Sequence, residues 1–201
     1  MASAVFINCP FDAQYQRKFR AIVFTLVYCG FEPRCSLEVA DGSQNRLDKI
    51  MDIMGSCSHA IHDISRTQLS SGLPRFNMPF ELGIFVGAKK FGGRSHSSKT
   101  CLVLDAVSYR YQRTLSDVAG QDIQIHQNSF EEVILVVRNW LAQFNSHTLL
   151  PGDVPITQDY KRLLRQFPRI CIESGITTRR ILYNDFVNII KVWIAKKGSI
   201  V

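Results

Sequence analysis

Apolar residues follow two periodicities along the first 145 residues of the chain. Short apolar runs typical of buried strands occupy residues 4–11, 59–65 and 99–106, and a more ragged run at 31–39 is typical of an edge strand. Between the runs, apolar positions recur every three to four residues, as in amphipathic helices. A brief fifth strand is predicted near residues 123–126. Strands that alternate with helices indicate an α/β protein with a parallel sheet of four to five strands and helices on both faces.

Four helices are predicted between these strands, at about residues 15–29, 43–56, 77–90 and 130–144. Gly30 is expected to end the first helix, while Ser43 and Asn77 are candidate N-caps of the second and third. The buried faces are expected to include two sets of side chains, namely Leu47, Ile50, Met51 and Met54 in the second helix, and Leu82, Phe85 and Val86 in the third.

A break with the sequence PGDVP follows at residues 151–155. Two more helices are predicted after it, at about 158–174 and 183–196. We therefore predict a main α/β domain at residues 1–150 and a helical C-terminal extension at 151–201. The extension is expected to pack on the sheet or on another subunit.

The formal net charge of +7 is concentrated near the C-terminus, where residues 156–201 carry nine basic and three acidic side chains. Since the basic residues alternate with apolar ones and form no dense run, a solvated helical face is the favoured interpretation. The alternative is a surface for a protein or nucleic-acid partner.

Six cysteines are scattered without a CxxC pair or a histidine-rich spacing, which favours reduced thiols over a metal site or a disulfide framework. The N-terminus does not have the layout of a signal peptide, and no apolar run approaches the roughly 18 residues of a membrane span. We therefore expect a cytoplasmic protein with no metal and no membrane partner. Nucleotide-binding and hydrolase motifs of the GxGxxG, GxxxxGK[ST], HExxH and GxSxG types are absent.

Polar side chains are predicted at the carboxyl ends of four strands, where open parallel sheets bind ligands. Glu81 is expected at the same edge, in the first turn of the third helix, and facing one pocket with Asp63. A plainer interpretation makes Glu81 an acid favoured by the helix dipole and Asp63 a turn residue. His62 is expected to be packed. The polar residues predicted at the strand ends are Asn8, Asp12, Glu38, Asp41, Asp63, Arg66, Thr67 and Asp105. Among them, Asp105 is better explained as a turn or cap residue.

The loop at residues 66–76 is too long for a minimal connection, which makes it a candidate binding loop. Its Arg66 and Arg75 are expected near the acidic residues of the strand ends.

Three short motifs occur in order at matching elements: VFINCPFD at the first strand, HDIS at the third, and MPFELGIFVGAKK at the start of the following helix. With them, residues 4–145 resemble the nucleoside 2-deoxyribosyltransferase-like proteins, which share a flavodoxin-like layout with TIR domains. The resemblance implies that Glu81 of the ELG segment is the nucleophilic glutamate and that Asp63 is the acid that ends the third strand. The chain departs from this family in its long arginine-containing loop and in its basic C-terminal helices.

The resemblance implies cleavage of an N-glycosidic bond, with NAD or a related nucleotide as the substrate and no cofactor. Glu81 and Asp63 are the expected catalytic residues, and the expected homo-oligomer acts as an NAD nucleosidase-type hydrolase, an activity of effectors in antiviral defence. The alternatives are a non-catalytic nucleotide-sensing module of a multi-protein complex and a nucleoside 2-deoxyribosyltransferase proper. The expected substrate-binding residues are Asn8, Pro10, Phe11, Asp12, Tyr15, Arg66, Arg75 and Asn77.

Overall fold

A computed structural model describes residues 2–67, 74–144, 149–178 and 181–198. Five parallel strands form one sheet in the order β2-β1-β3-β4-β5, which is a flavodoxin-like arrangement. The predicted fold class is therefore confirmed, and the ragged second strand lies at the sheet edge. The strands are β1 (Ala4–Asn8), β2 (Glu32–Arg34), β3 (His59–Asp63), β4 (Thr100–Asp105) and β5 (Ile123–Ile125).

Helices cover both faces of the sheet. The α-helices are α1 (Gln16–Tyr28), α2 (Arg46–Ser56), α3 (Asn77–Phe91), α4 (Phe130–Ala142), α5 (Asp153–Glu173) and α6 (Tyr183–Gly198). Two short 3₁₀ turns, Arg110–Arg113 and Ser116–Val118, connect β4 to β5.

Alternate residues of β1 direct their side chains to opposite faces of the sheet, as the pleat requires. Val5 and Ile7 pack in a core cluster with α1 and α4, whereas Phe6 packs with α2 and α3. Most positions in these central strands are buried on both faces, which explains why their sequences are continuous apolar runs.

The two C-terminal helices pack against α1 and α4 and belong to the same apolar cluster as the sheet. Tyr160 of α5 is fully buried against Phe24 of α1. The hydroxyl of Tyr183 at the start of α6 donates to the carbonyl of Pro33 in β2 over 2.7 Å. None of the helices in the described ranges is long and apolar enough to cross a membrane.

Helix α2 begins later than the sequence suggests. Asn45, and not Ser43, is the N-cap, and its side chain accepts from the amide of Leu47 over 2.8 Å. The Ser43 amide donates to the carboxylate of Asp41, so both residues belong to the preceding turn. Met51, which was predicted to be buried, is exposed, and Ile53 is buried in the core instead.

Helix α3 differs from the prediction in three respects. Asn77 is its first helical residue and not its cap; the cap position is Phe76, whose side chain makes no capping bond. Val86 is exposed, whereas Leu82 and Phe85 are buried as predicted. Glu81 consequently lies in the second turn, beyond the first turn where a helix dipole acts most strongly.

Candidate functional site

A cleft of about 440 Å³ opens at the carboxyl end of β1, between the β1–α1 turn and the first turns of α2 and α3. This is the sheet edge where ligands of parallel α/β folds bind. A larger groove of about 720 Å³ lies between α5 and α6 and shares no lining residue with the cleft. The cleft is lined by seven of the ten predicted site residues, Asn8, Pro10, Phe11, Asp12, Arg75, Asn77 and Glu81, together with Cys9, Arg46 and Met78.

Glu81 contributes a half-buried carboxyl group to this cleft. It makes no hydrogen bond or ion pair with any residue that the structure describes. Burial raises its pKa to about 7, and the nearby positive charge of Arg46 opposes that shift only in part. This carboxyl group is therefore harder to ionise than that of a glutamate in water.

Asn8, on the floor of the cleft, links β1 to β3 and to the first turn of α3. Its side-chain nitrogen donates to the carbonyl of Met78 and to Nδ1 of His62, both over 2.9 Å. His62 is fully buried between Phe6 and Phe85, and burial lowers its pKa to about 3. The neutral imidazole is thus a packed side chain, as predicted.

Asp12 connects the β1–α1 turn to the candidate binding loop. Its carboxylate lies 3.2 Å from Nη2 of Arg66 and 3.5 Å from Nη1 of Arg75. The amide of Arg75 donates to the carbonyl of Arg66 over 3.1 Å and so closes the base of the loop. Arg75 lines the cleft, whereas Arg66 turns to Asp12 and Gln14. The predicted loop also includes residues 68–73, which are outside the described part of the chain.

Asp63 does not face the cleft, so the prediction that it shares one pocket with Glu81 is wrong. Its side chain is fully buried, accepts from the Tyr15 hydroxyl over 2.5 Å and accepts from the Ser65 amide over 2.9 Å. Nε2 of His126 lies 3.0 Å from the same carboxylate oxygen that Tyr15 contacts, although its N–H is poorly aligned with it. Asn128 donates its amide to Nδ1 of His126, so Nε2 carries the proton.

These partners determine the ionisation of Asp63. Burial alone would raise its pKa, but the contacts with His126, Ser65 and Tyr15 hold the pKa below its usual range. Burial also raises the pKa of the Tyr15 phenol, with Asp63 adding to the effect. Tyr15 is fully buried and does not border the cleft. Asp63 and Tyr15 therefore form a closed network behind the cleft.

Asp105 is likewise removed from the cleft. Its buried carboxylate pairs with Arg110 and accepts from the amide of Ala106 over 2.6 Å, while Arg110 also donates to the carbonyl of Ser65. Burial raises the pKa of Asp105 despite the adjacent guanidinium. The pair fixes the loop after β4 and accounts for this strand-end acid.

Arg46 is the functional candidate that sequence reasoning missed. It is the first residue of α2, which begins at the carboxyl edge of the sheet as α3 does. The same topological rule that selects Glu81 also places Arg46 at this edge. Cys9 lines the cleft too, but burial raises the pKa of its thiol well above the usual value, with Asp63 adding to the shift, so it is a poor nucleophile.

No cluster of three or more His, Cys, Asp or Glu side chains suited to a metal ion occurs within the described ranges. No protein-family model matches the chain, and no curated protein is significantly similar to it.

Proposed function

We propose that this cleft cleaves the N-glycosidic bond of NAD or a related nucleotide, with Glu81 as the nucleophile or the stabiliser of the oxocarbenium ion. The observation that carries the proposal is the carboxyl group of Glu81, half-buried and unpaired among the described residues, beside the arginines Arg46 and Arg75. Perturbed acids in clefts are candidates for catalysis.

The chemistry requires one ionised carboxylate at C1′ of the ribose. As the bond breaks, its electron pair leaves with the base nitrogen, and positive charge develops at C1′. An ionised Glu81 stabilises that charge or forms a glycosyl–enzyme. Water then adds its hydroxyl to C1′ and releases a proton, which gives the phosphorylated ribose product (ADP-ribose from NAD) and restores the carboxylate.

A pKa of about 7 suits this role. A desolvated carboxylate is more basic, and hence a better nucleophile, than one in water, while a substantial fraction remains ionised at neutral pH. The positively charged nicotinamide ring of bound NAD would favour the ionised form further.

The remaining lining residues fit a phosphorylated nucleoside. Arg46 and Arg75 lie on different walls, where a guanidinium can form paired hydrogen bonds with phosphate oxygens. Phe11 offers an apolar surface to the base, and Asn77 offers polar groups to the sugar. Asp63 and Tyr15 are assigned a positioning role, because their network joins the end of β3 to the start of α1.

A non-catalytic nucleotide-sensing module is the second candidate. The position of Asp63 favours it, because the structure separates this acid from the cleft and leaves Glu81 without the second carboxylate that the sequence indicated. A nucleoside 2-deoxyribosyltransferase is the enzymatic alternative, and the two arginines argue against an unphosphorylated substrate.

We further propose that the protein acts in the cytoplasm, as a homo-oligomeric effector in antiviral defence. Its basic C-terminal helices are proposed to bind a protein or nucleic-acid partner.

Product analysis separates these functions. Purified protein is incubated with NAD and, separately, with deoxynucleosides, and released nicotinamide or free base is quantified by chromatography. Nicotinamide release supports the nucleosidase. Base exchange between deoxynucleosides supports the transferase, and saturable nucleotide binding without turnover supports the sensing module.

A further inference from the structure

Helix α3 exposes an apolar face directly opposite its buried one. Phe76, Phe80 and Phe91 are 56%, 57% and 85% exposed, and Gly83 and Gly87 lie between them on the same side of the helix. The buried side chains Met78, Leu82 and Phe85 occupy the opposite side. We call the five outward residues the α3 face. A helix that is apolar on both sides is characteristic of a buried element.

Neither glycine is required by the backbone or by contacts with the described residues of one copy. A Cβ at Gly83 or Gly87 would meet open space, and neither residue has a positive φ. Glycine is also less favourable than alanine inside a helix. What the glycines provide is a depression on the helix surface, flanked by aromatic side chains, which can receive a side chain from a second helix.

We propose that the α3 face binds the same face of a second copy, with the two helices antiparallel about a two-fold axis near Gly83. In this arrangement Phe80 of each copy fits the depression between Gly83 and Gly87 of the other, and Phe76 meets Phe91. The projecting ring of Phe80 and the depression at Gly83 and Gly87 lie on the same face. A two-fold axis therefore brings each ring to the depression of the other copy, as a self-complementary interface requires.

Charge is compatible with this occupant. Lys90 flanks the α3 face at one end, and no acidic residue flanks it. Antiparallel helices separate the two Lys90 side chains by roughly 20 Å, beyond the screening length at physiological salt, whereas parallel helices would place them together. At roughly 200 Å² per phenylalanine, the exposed fractions of the three rings amount to roughly 400 Å² per copy. The two copies would thus bury roughly 800 Å² of aromatic surface, about half of a standard interface, so we expect a weak dimer.

The test is sedimentation of the full-length chain with two matched variants. Gly87→Leu fills the depression, and its Cβ meets no heavy atom of the monomer within 4 Å. Gly55→Leu makes the same change at an exposed glycine of α2, whose Cβ also meets open space, away from the α3 face. We expect the native chain and Gly55→Leu to dimerise alike, and Gly87→Leu to lose affinity by roughly 30-fold or more with no loss of thermal stability.

A cross-link tests the orientation. In the double variant F80C/G87C, the two introduced thiols of one copy are roughly 10 Å apart along the helix, too far for a disulfide within the copy. Across the proposed axis they approach one another, so oxidation should give a covalent dimer that the native chain does not form. A monomeric native chain, or a dimer that Gly87→Leu leaves intact, would overturn the proposed surface. A dimer without the cross-link would overturn its antiparallel register.

Discussion

At the scale of single residues, Glu81 shows how burial can outweigh local sequence context. Its position near a helix start indicates an ionised acid, but the helix begins at Asn77 and places Glu81 in the second turn. There the carboxyl group loses water without gaining a hydrogen bond from a described residue. The neutral form is favoured as a result, and the pKa rises to about 7.

The free energy of unfolding should depend on pH through Glu81. Because its pKa is raised from 4.5 to about 7, the folded chain keeps a proton that the unfolded chain releases, and stability falls as the pH rises through this window. Glu81→Gln should therefore be more stable than the native chain at pH 8, by about 1–2 kcal/mol after allowance for solvent screening, and similar to it at pH 4. Urea denaturation at both pH values measures the difference, and equal pH profiles would contradict the burial of Glu81.

Asp63 shows the opposite case, in which burial comes with partners. Substitution with asparagine removes the charge that Tyr15, Ser65 and His126 stabilise. We expect Asp63→Asn to lower the free energy of unfolding by about 3 kcal/mol at pH 7. Tyr15→Phe should cost about 1 kcal/mol, since it removes one hydrogen bond.

The loss of unfolding free energy in Asp63→Asn should depend on pH. Because the folded-state pKa is depressed below 3.8, the contribution of the carboxylate is present above that pH and is lost as the pH falls through the folded-state value. The denaturation midpoints of the native chain and of Asp63→Asn should therefore converge as the pH falls. A constant difference down to pH 2 would show that packing, and not ionisation, explains the effect.

At the scale of elements, hydrophobic periodicity was sufficient to locate the helices and strands. The helix starts were less accurate, because Asn45 and Ser43 are both plausible caps by residue type and only the path of the turn selects one. Val86 and Met51 satisfy the helical spacing but face away from the core. Spacing alone cannot resolve the edge of an apolar stripe that spans part of the helix circumference.

The C-terminal helices can be tested as part of the main core. Ile190 of α6 is fully buried in the cluster that contains α1 and the sheet, whereas Val192 on the same helix is 55% exposed. Ile190→Ala should destabilise the whole chain by about 3 kcal/mol in one cooperative transition, and Val192→Ala should have little effect. Local loss of α6 with an unchanged main transition in calorimetry would show that the extension folds separately.

At the scale of the whole molecule, the alternation of strands and helices predicts the parallel sheet, and the sheet predicts which edge carries the cleft. The sequence could not show which strand-end acids face the cleft, because that depends on contacts between distant segments. Asp63 meets His126 and Asp105 meets Arg110 only after folding. Arg46 was within reach of the same topological rule, since α2 also starts at that edge.

The α3 face and the cleft share one helix. Phe76 adjoins Arg75 and Asn77 of the cleft lining, and Glu81 follows Phe80. Dimerisation through the α3 face would therefore place the interface on the helix that presents the proposed catalytic carboxyl group. Turnover should accordingly be assayed at concentrations where the dimer forms.

The most direct measurement is the rate of nicotinamide release from NAD by the native chain and by Glu81→Gln, followed from pH 6 to 8. We expect the native rate, at NAD concentrations well below KM, to rise with pH about a midpoint near 7, as Glu81 of the free protein ionises. The variant should be slower by roughly 10³-fold or more. Glu173→Gln, an exposed substitution on α5, should retain the native rate. Undiminished release by a folded Glu81→Gln, or nucleotide binding by the native chain without any turnover, would contradict the proposed catalytic role of Glu81.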